Sequence, residues 1–454
     1  MINKIFTLTV IFSAVSAFSV SAADNVLQIF NQNNYTPESW AEIENIEFNS
    51  AEEVMIVKTV DGNAQQLNFS NLPIFKSGET LPLIEITTDT YMPEVPNKVD
   101  YQNGTFNLRG FGRYDNVSAT MGIRGRGNSS WGYEKKPYRL KFDKKQSLCG
   151  LPKAKSFVLL ANSVDPSFME NSIASMIADI VEFPNNRPMI PVDVNFNGIY
   201  KGTYLLTNKP GINSGSVDID EKNSIMWELD SYFDEDYKFK SPIYNLPVNV
   251  SDPDLLEISG DDPQLANDLF DSWKADFIEM ERAVAEGKAA DYIDLELYGK
   301  YLLIYDITKN DELQHPKSVK LYKTRGEGNK YIFGPIWDFD GAWGFWMTFN
   351  YGSTDKIDQR VTRHAFFKQL EQYPEVRESY RVNFEKVKAA FPQLLERIDQ
   401  YAETIRTSAE RNNSRWGIKI IDSKGISFDD AFTRMRAWLV KRMECIENFD
   451  IMQQ

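Results

Sequence analysis

Two carboxylates stand two residues apart in Gly334-Pro335-Ile336-Trp337-Asp338-Phe339-Asp340-Gly341-Ala342-Trp343-Gly344. Acids set among aromatics and glycines are costly unless something positive binds them, and a hard cation with oxygen ligands is the natural partner. An exposed turn is the plainer alternative. A second segment, Arg124-Gly125-Arg126-Gly127-Asn128-Ser129-Ser130-Trp131, is followed by Lys135-Lys136-Pro137-Tyr138-Arg139-Leu140-Lys141-Phe142. Gly125 and Gly127 let backbone amides approach an anion, and the cations beside them suit phosphate. A basic patch next to a structural turn fits the same residues. The third segment is Lys309-Asn310-Asp311-Glu312, then His315, Ser318 and Tyr322, at the end of an apolar run. A carboxylate there can accept a hydroxyl proton or hold a metal, and Asn and Asp also serve to end helices.

These segments sit in an acidic chain of 454 residues, with 50 Lys+Arg against 65 Asp+Glu and a net charge of −15. Such a balance disfavours nucleic acid and anionic membranes as general partners, because phosphate backbones demand a basic surface. Hydrophobic residues make up 42% and charged residues 25%, which excludes wholesale disorder. His315 and His364 are the only histidines, so a His-rich zinc site is excluded. Cys149 and Cys445 are too few for a disulfide framework. Residues 1–22 read as a signal peptide: Lys4, an apolar run from Ile5 to Val20, and a small-residue cleavage site at Val20-Ser21-Ala22. The expectation is an exported protein, periplasmic or extracellular, with no transmembrane anchor once the signal is removed.

The elements that must position the three segments follow from periodicity. Residues 23–80 read as a small β-rich extension, with Val54 to Val57 and Leu67 to Phe69 flanking an Asp61-Gly62 hairpin turn. Strand patterns then run at Leu81–Ile86, Tyr138–Phe142, Phe157–Ala161, Val192–Phe196, Thr203–Leu206 and Ile225–Leu229, and Asn197-Gly198 is a second hairpin turn. Asn171 to Ile180 reads as a helix. In the strand from Tyr138, Arg139 and Lys141 face away from Tyr138, Leu140 and Phe142. After about residue 260 the period becomes helical: Leu269, Trp273, Phe277, Met280 and Val284 share a face, and Tyr298 to Ile307 forms a more buried helix. Strands at Val319–Tyr322 and Tyr331–Ile336 interrupt the helices. The fold class is α+β, a β-rich N-terminal half and a mostly helical C-terminal half.

Together these segments, with Leu159-Leu160-Ala161-Asn162 and Asn197-Gly198-Ile199-Tyr200-Lys201-Gly202, resemble the spore-coat protein H (CotH) kinase family, from about Leu81 to Trp416. The resemblance implies an atypical protein-kinase-like fold over residues 81–454, with an N-lobe of about 81–230 and a C-lobe of about 260–454. It implies phosphate transfer from ATP, with Mg2+ or Mn2+, to protein Ser/Thr or surface-polymer hydroxyls. Carried over, Arg124, Gly125, Arg126, Gly127, Asn128 and Ser129 cover the ATP phosphates. Lys141 contacts them, with Lys136 and Arg139 as rivals. Asp311 orients or deprotonates the acceptor hydroxyl. Asp338 binds the metal, with Asp340 as alternative and Ser318 as a second ligand. Two positions depart from the family pattern: Asn208 where a glutamate is common, and Glu170 where an arginine is common. Those departures favour an alternative, a non-catalytic scaffold or carbohydrate-binding surface protein; the joint retention of Asp311 and Asp338 favours chemistry.

Overall fold

A computed structural model describes residues 81–343, 357–417 and 427–453, and the backbone of six strands between residues 9 and 68. Those strands, β1 (Thr9–Ile11), β2 (Ser16–Ser21), β3 (Val26–Asn31), β4 (Pro37–Asn49), β5 (Val54–Thr59) and β6 (Ala64–Asn68), form an antiparallel meander in chain order. β5 pairs with β6 from Val54↔Asn68 to Lys58↔Ala64, the hairpin that Asp61-Gly62 predicts. The expected signal segment, residues 1–22, lies outside the residues whose side chains are described.

The β-rich half is built on a closed barrel. Its strands are β7 (Leu83–Thr88), β8 (Gln102–Arg109), β9 (Val117–Gly125), β10 (Tyr138–Gln146), β11 (Ala154–Leu160), β12 (Ile190–Phe196) and β13 (Ile199–Asn208). They run in the order β10-β11-β13-β12-β7-β8-β9, and β9 pairs back onto β10. All pairs are antiparallel except β12 with β7. Closure removes sheet edges and fills the interior with alternate residues. Ile84, Phe106, Ile123, Tyr138, Leu140, Phe142, Phe157, Val194 and Leu206 pack there, with Phe142 edge-on to Phe106 and Phe157 at 5.0 and 5.8 Å. The alternation expected at Tyr138–Phe142 holds: Arg139 and Lys141 stand on the outer wall.

Asn197 and Gly198 join β12 to β13 with φ of 49° and 77°, the two left-handed positions of a type I′ turn. The Asn197 side chain also accepts from Thr88 N at 2.8 Å and donates to Met92 O at 2.6 Å, tying the turn to the end of β7. A Gly198→Ala substitution forces a Cβ into the left-handed region and is expected to lower stability by about 1–2 kcal/mol in urea unfolding.

A second sheet, in the order β15-β16-β14-β17-β18, lies beyond the barrel: β14 (Ser224–Leu229), β15 (Lys238–Lys240), β16 (Pro247–Asp252), β17 (Val319–Thr324) and β18 (Ile332–Phe333). It joins β14 to β15 and β16 from residues 230–260 and to β17 and β18 from beyond residue 310. The helices are α1 (Glu170–Ile180), α2 (Leu255–Ile258), α3 (Pro263–Ala285), α4 (Leu295–Thr308), α5 (Ala365–Leu370), α6 (Pro374–Trp416), α7 (Phe428–Ile446) and α8 (Asp450–Gln453). α3 starts where Asp262 accepts from Gln264 N and Leu265 N, with Pro263 in the first turn. From Tyr298 to Thr308 α4 is buried on every side, as its mostly apolar sequence requires. Each of Leu302, Leu303 and Ile304 adds about 1.5–3 kcal/mol by burial. The result is mixed α and β, a β-rich N-terminal half followed by a helical C-terminal part. Both cysteines are free thiols. Among the described residues no helix is long and apolar enough to cross a membrane.

Candidate active site: a carboxylate-lined cleft

A cleft of about 550 Å³ runs between the outer wall of the barrel and the loops at the ends of β14 and α4. Its lining comes from the glycine loop after β9, the β11–α1 connection, the turn after β14, the α4–β17 connection and the strap that begins at Trp337.

The strap is anchored by what flanks its acids. Phe339, Ala342 and Trp343 are buried in the helical core, and Phe339 meets Tyr305 edge-on at 5.0 Å. Phe339 N donates to Asn171 Oδ1 on α1 at 2.9 Å, and Trp343 N donates to Thr308 O at 2.7 Å. Burying the apolar residues leaves Asp338 and Asp340 in the cleft lining. Asp338 holds a left-handed φ of 67°, and its carbonyl accepts from Asn310 Nδ2 at 3.0 Å. Its carboxylate accepts from Ser318 Oγ at 2.8 Å and stands 4.0 Å from Lys317 Nζ.

The two carboxyls hydrogen-bond each other. Burial works against ionisation of Asp338, but Lys317, the Ser318 hydroxyl and Asp340 outweigh it and hold the group below the usual range. Asp340 is pushed well above that range by burial and by its charged neighbour. Two like charges held this close disfavour joint ionisation. A divalent cation would offset that repulsion, so the two carboxylates fit Mg2+ or Mn2+. Among the described residues no group of three His, Cys, Asp or Glu side chains is arranged to hold a metal. Magnesium tolerates that, since it is commonly held by one or two carboxylates together with water and substrate oxygens.

Across from the pair, Arg126 lies over the Trp337 ring, 5.5 Å from its centroid, with its charge facing Asp338, Asp340 and Glu228. Gly127 takes φ 81°, and a Cβ there would meet Ser130 Oγ at 2.1 Å. A Cβ on Gly125 would meet Trp131 at 2.2 Å. Both glycines are thus needed for the loop to fold upon itself.

The cleft lining brings together Arg126, Gly127, Asn128 and Ser129 with Asp311, Ser318, Asp338 and Asp340. Gly125 shapes the loop from behind. Arg124, Lys136, Arg139 and Lys141 are not in the lining. Arg124 donates to Lys98 O and lies over Tyr101 at 5.0 Å. Lys136 donates to Trp131 O at 2.6 Å. Arg139 is half-buried on the barrel wall among Tyr101, Arg124, Asp252 and Glu235. Lys141 is exposed.

The third segment is delivered by the end of α4. Lys309 adopts φ 54°, which stops the helix and turns the chain. Asn310 caps the following short turn by accepting from Glu312 N at 3.1 Å. Asp311 is clamped: Lys309 Nζ reaches its two oxygens at 2.9 and 3.0 Å, and Thr362 N donates to it at 2.9 Å. Glu312 also lines the cleft, 3.3 Å from Lys317 Nζ, and burial pushes its carboxyl up to about 7.

Lys317 and Glu312 are the residues that sequence reasoning left without roles. Glu312 stood inside a quoted motif; Lys317 carried no signal, because its partners are near it only in space. His315 lines the cleft and His364 caps α5. Of the two departures, neither lines the cleft. Glu170 is 1% exposed with neither carboxylate oxygen hydrogen-bonded among the described residues, and burial, Asp165 and Asp340 raise its pKa well above the ordinary value. Burial thus disfavours its charged form. Asn208 is buried and donates to Pro152 O at 3.0 Å.

Eight carboxylates line the cleft (Glu228, Asp230, Asp234, Glu235, Asp311, Glu312, Asp338 and Asp340) against the cations of Arg126 and Lys317. Such a site accepts an anion best when a cation accompanies it. The CotH kinase protein family model matches residues 123–446, and the chain belongs to the CotH kinase family. No curated protein matches the chain.

Proposed function

We propose that this protein is an exported, metal-dependent atypical kinase that transfers the γ-phosphoryl group of ATP to hydroxyls of a protein (Ser/Thr) or surface polymer. The observation that carries the reading is the Asp338–Asp340 carboxylate pair facing Arg126 across a polar cleft. Family membership supports a kinase-like activity in general terms. Export rests on the signal-like residues 1–22.

In this reading Asp338 and Asp340 hold Mg2+ or Mn2+, with Ser318 orienting Asp338. The ion supplies neutralisation of charge on the phosphate oxygens. Arg126 and the amides from Gly127 to Ser129 bind those oxygens from the other side. Asp311, fixed by Lys309 and Thr362 N, orients the acceptor hydroxyl. Catalysis is then positioning and electrostatics, as phosphoryl transfer requires. The kinase-like lobes proposed here meet at the cleft.

Arg126→Met is expected to weaken Mg2+-dependent ATP binding about 10- to 100-fold in calorimetry, the value of one or two lost charge-assisted hydrogen bonds. The reading itself is tested by intact mass after incubation with ATP and Mg2+ or Mn2+. Addition of phosphoryl groups, absent in Asp338→Ala, is the expected result. No addition together with no metal-dependent nucleotide binding would overturn it. That outcome would favour the second reading, a non-catalytic scaffold or carbohydrate-binding protein. Glu170 is the observation on its side, since it places a further acid next to Asp340.

A further inference from the structure

We infer that Glu312, not Asp311, is the general base that takes the proton from the acceptor hydroxyl, while Asp311 is a positioning residue. The inference rests on the kinase reading and assigns the proton within it.

The two neighbours differ in what their carboxylates are free to do. Both oxygens of Asp311 are held by the ammonium of Lys309, at 2.9 and 3.0 Å, and the Lys309 side chain is only 3% exposed. Thr362 N adds a third donor at 2.9 Å. Those bonds fasten the turn to the chain after residue 357 and occupy three of the roughly four acceptor positions of Asp311. Among the described residues the Glu312 carboxylate has one side-chain partner, Lys317 Nζ, at a looser 3.3 Å. The same ammonium stands 4.0 Å from Asp338, so one lysine links Glu312 to the metal-binding carboxylate. A base next to the metal-bound phosphate is where an attacking hydroxyl needs one.

The surroundings suit the task. Lys317, Asp338 and Asp230 face Glu312 from the β17 approach, the strap and the β14 turn, and Tyr301 and Tyr305 lie within its field from α4. Burial outweighs Lys317 and brings the group to about 7, the range in which a base is both unprotonated and strong enough. In the step, the acceptor oxygen forms a bond to the γ-phosphorus as its proton passes to Glu312. The bond from that phosphorus to the β–γ bridging oxygen breaks, and ADP leaves with the electron pair. Glu312 then returns its proton to solvent.

The test compares wild type, Glu312→Gln and Asp311→Asn in ATP with Mg2+, between pH 5.5 and 9. ADP release and phosphoryl addition to the protein's own hydroxyls give the rate; calorimetry gives ATP affinity. Wild type should gain activity with pH along a limb centred near 7. Glu312→Gln should lose at least about 100-fold in rate, lose that limb, and keep ATP affinity within about twofold. Asp311→Asn should retain the limb at a lower rate. A Glu312→Gln protein with the wild-type rate and limb would overturn the assignment while leaving the kinase reading intact. A wild type that neither binds nor turns over ATP would overturn both.

Discussion

Replacing Asp338 by asparagine is expected to lower phosphoryl transfer by about 10³-fold or more and to abolish the Mg2+ dependence of ATP binding. Asparagine keeps the size of the side chain and can still accept from Ser318, so the strap should remain in place. What disappears is the charge that Lys317, Ser318 and Asp340 together hold ionised. With no partner charge, Asp340 titrates closer to an ordinary carboxylate, since Asp338 is second only to burial among the causes of its upward shift. The check is rate and calorimetry on one preparation, with far-ultraviolet circular dichroism as the folding control. A variant with near-normal transfer would remove the metal from this pair.

The largest stability effect is expected away from the cleft, at Asp306. This fully buried carboxylate accepts from Arg360 Nε at 2.8 Å, Arg360 Nη2 at 2.7 Å, Val361 N at 2.9 Å and the Tyr380 hydroxyl at 3.2 Å. The backbone carbonyl of the same residue accepts from Arg442 Nε at 2.8 Å, and Arg442 also donates to Gln359 O at 2.7 Å. The network binds α4, α6 and α7 to the chain at 357–363, whose Thr362 N holds Asp311. Asp306→Ala removes the acceptor and leaves Arg360 and Arg363, each 10% exposed, with Glu371 as the remaining buried acid. Breaking a buried pair from one side costs about 3–5 kcal/mol, which urea unfolding would register.

The pH dependence has a definite sign. Burial would raise the Asp306 pKa, but Arg360, Arg363 and Arg442 outweigh it, so the folded value lies below the unfolded one of about 4. Its contribution is complete above that unfolded value and fades as pH falls through the folded value. The difference in stability between wild type and Asp306→Ala should therefore shrink in acid.

Five of the seven barrel strands were legible because an interior filled from alternate residues leaves a period of two, as at Tyr138, Leu140 and Phe142; β8 and β9 were not read as strands. Closure was not legible. It depends on β11 meeting β13 and on the parallel pairing of β12 with β7, contacts made between segments far apart in sequence. The same limit applies to the site. Alternation puts Arg139 and Lys141 on the outer wall but cannot tell which part of that wall the cleft faces. The cation that the basic segment supplies to the cleft is Arg126, brought there by the turn at Gly127 and by Trp337 from 211 residues further along the chain. Asp338 and Asp340 were legible because their buried aromatic neighbours are local. Lys317 was not, since it gains meaning only when β17 starts beside the strap.

The central claim is that Asp338 and Asp340 hold a divalent cation against nucleotide phosphates. Anomalous diffraction from crystals grown with Mn2+ and a non-hydrolysable ATP analogue tests it most directly. The account predicts a manganese peak bonded to Asp338, with Asp340 beside it and the phosphates between the ion and Arg126. A nucleotide bound elsewhere, or a cleft that takes up neither ion nor nucleotide at saturating concentrations, would contradict it.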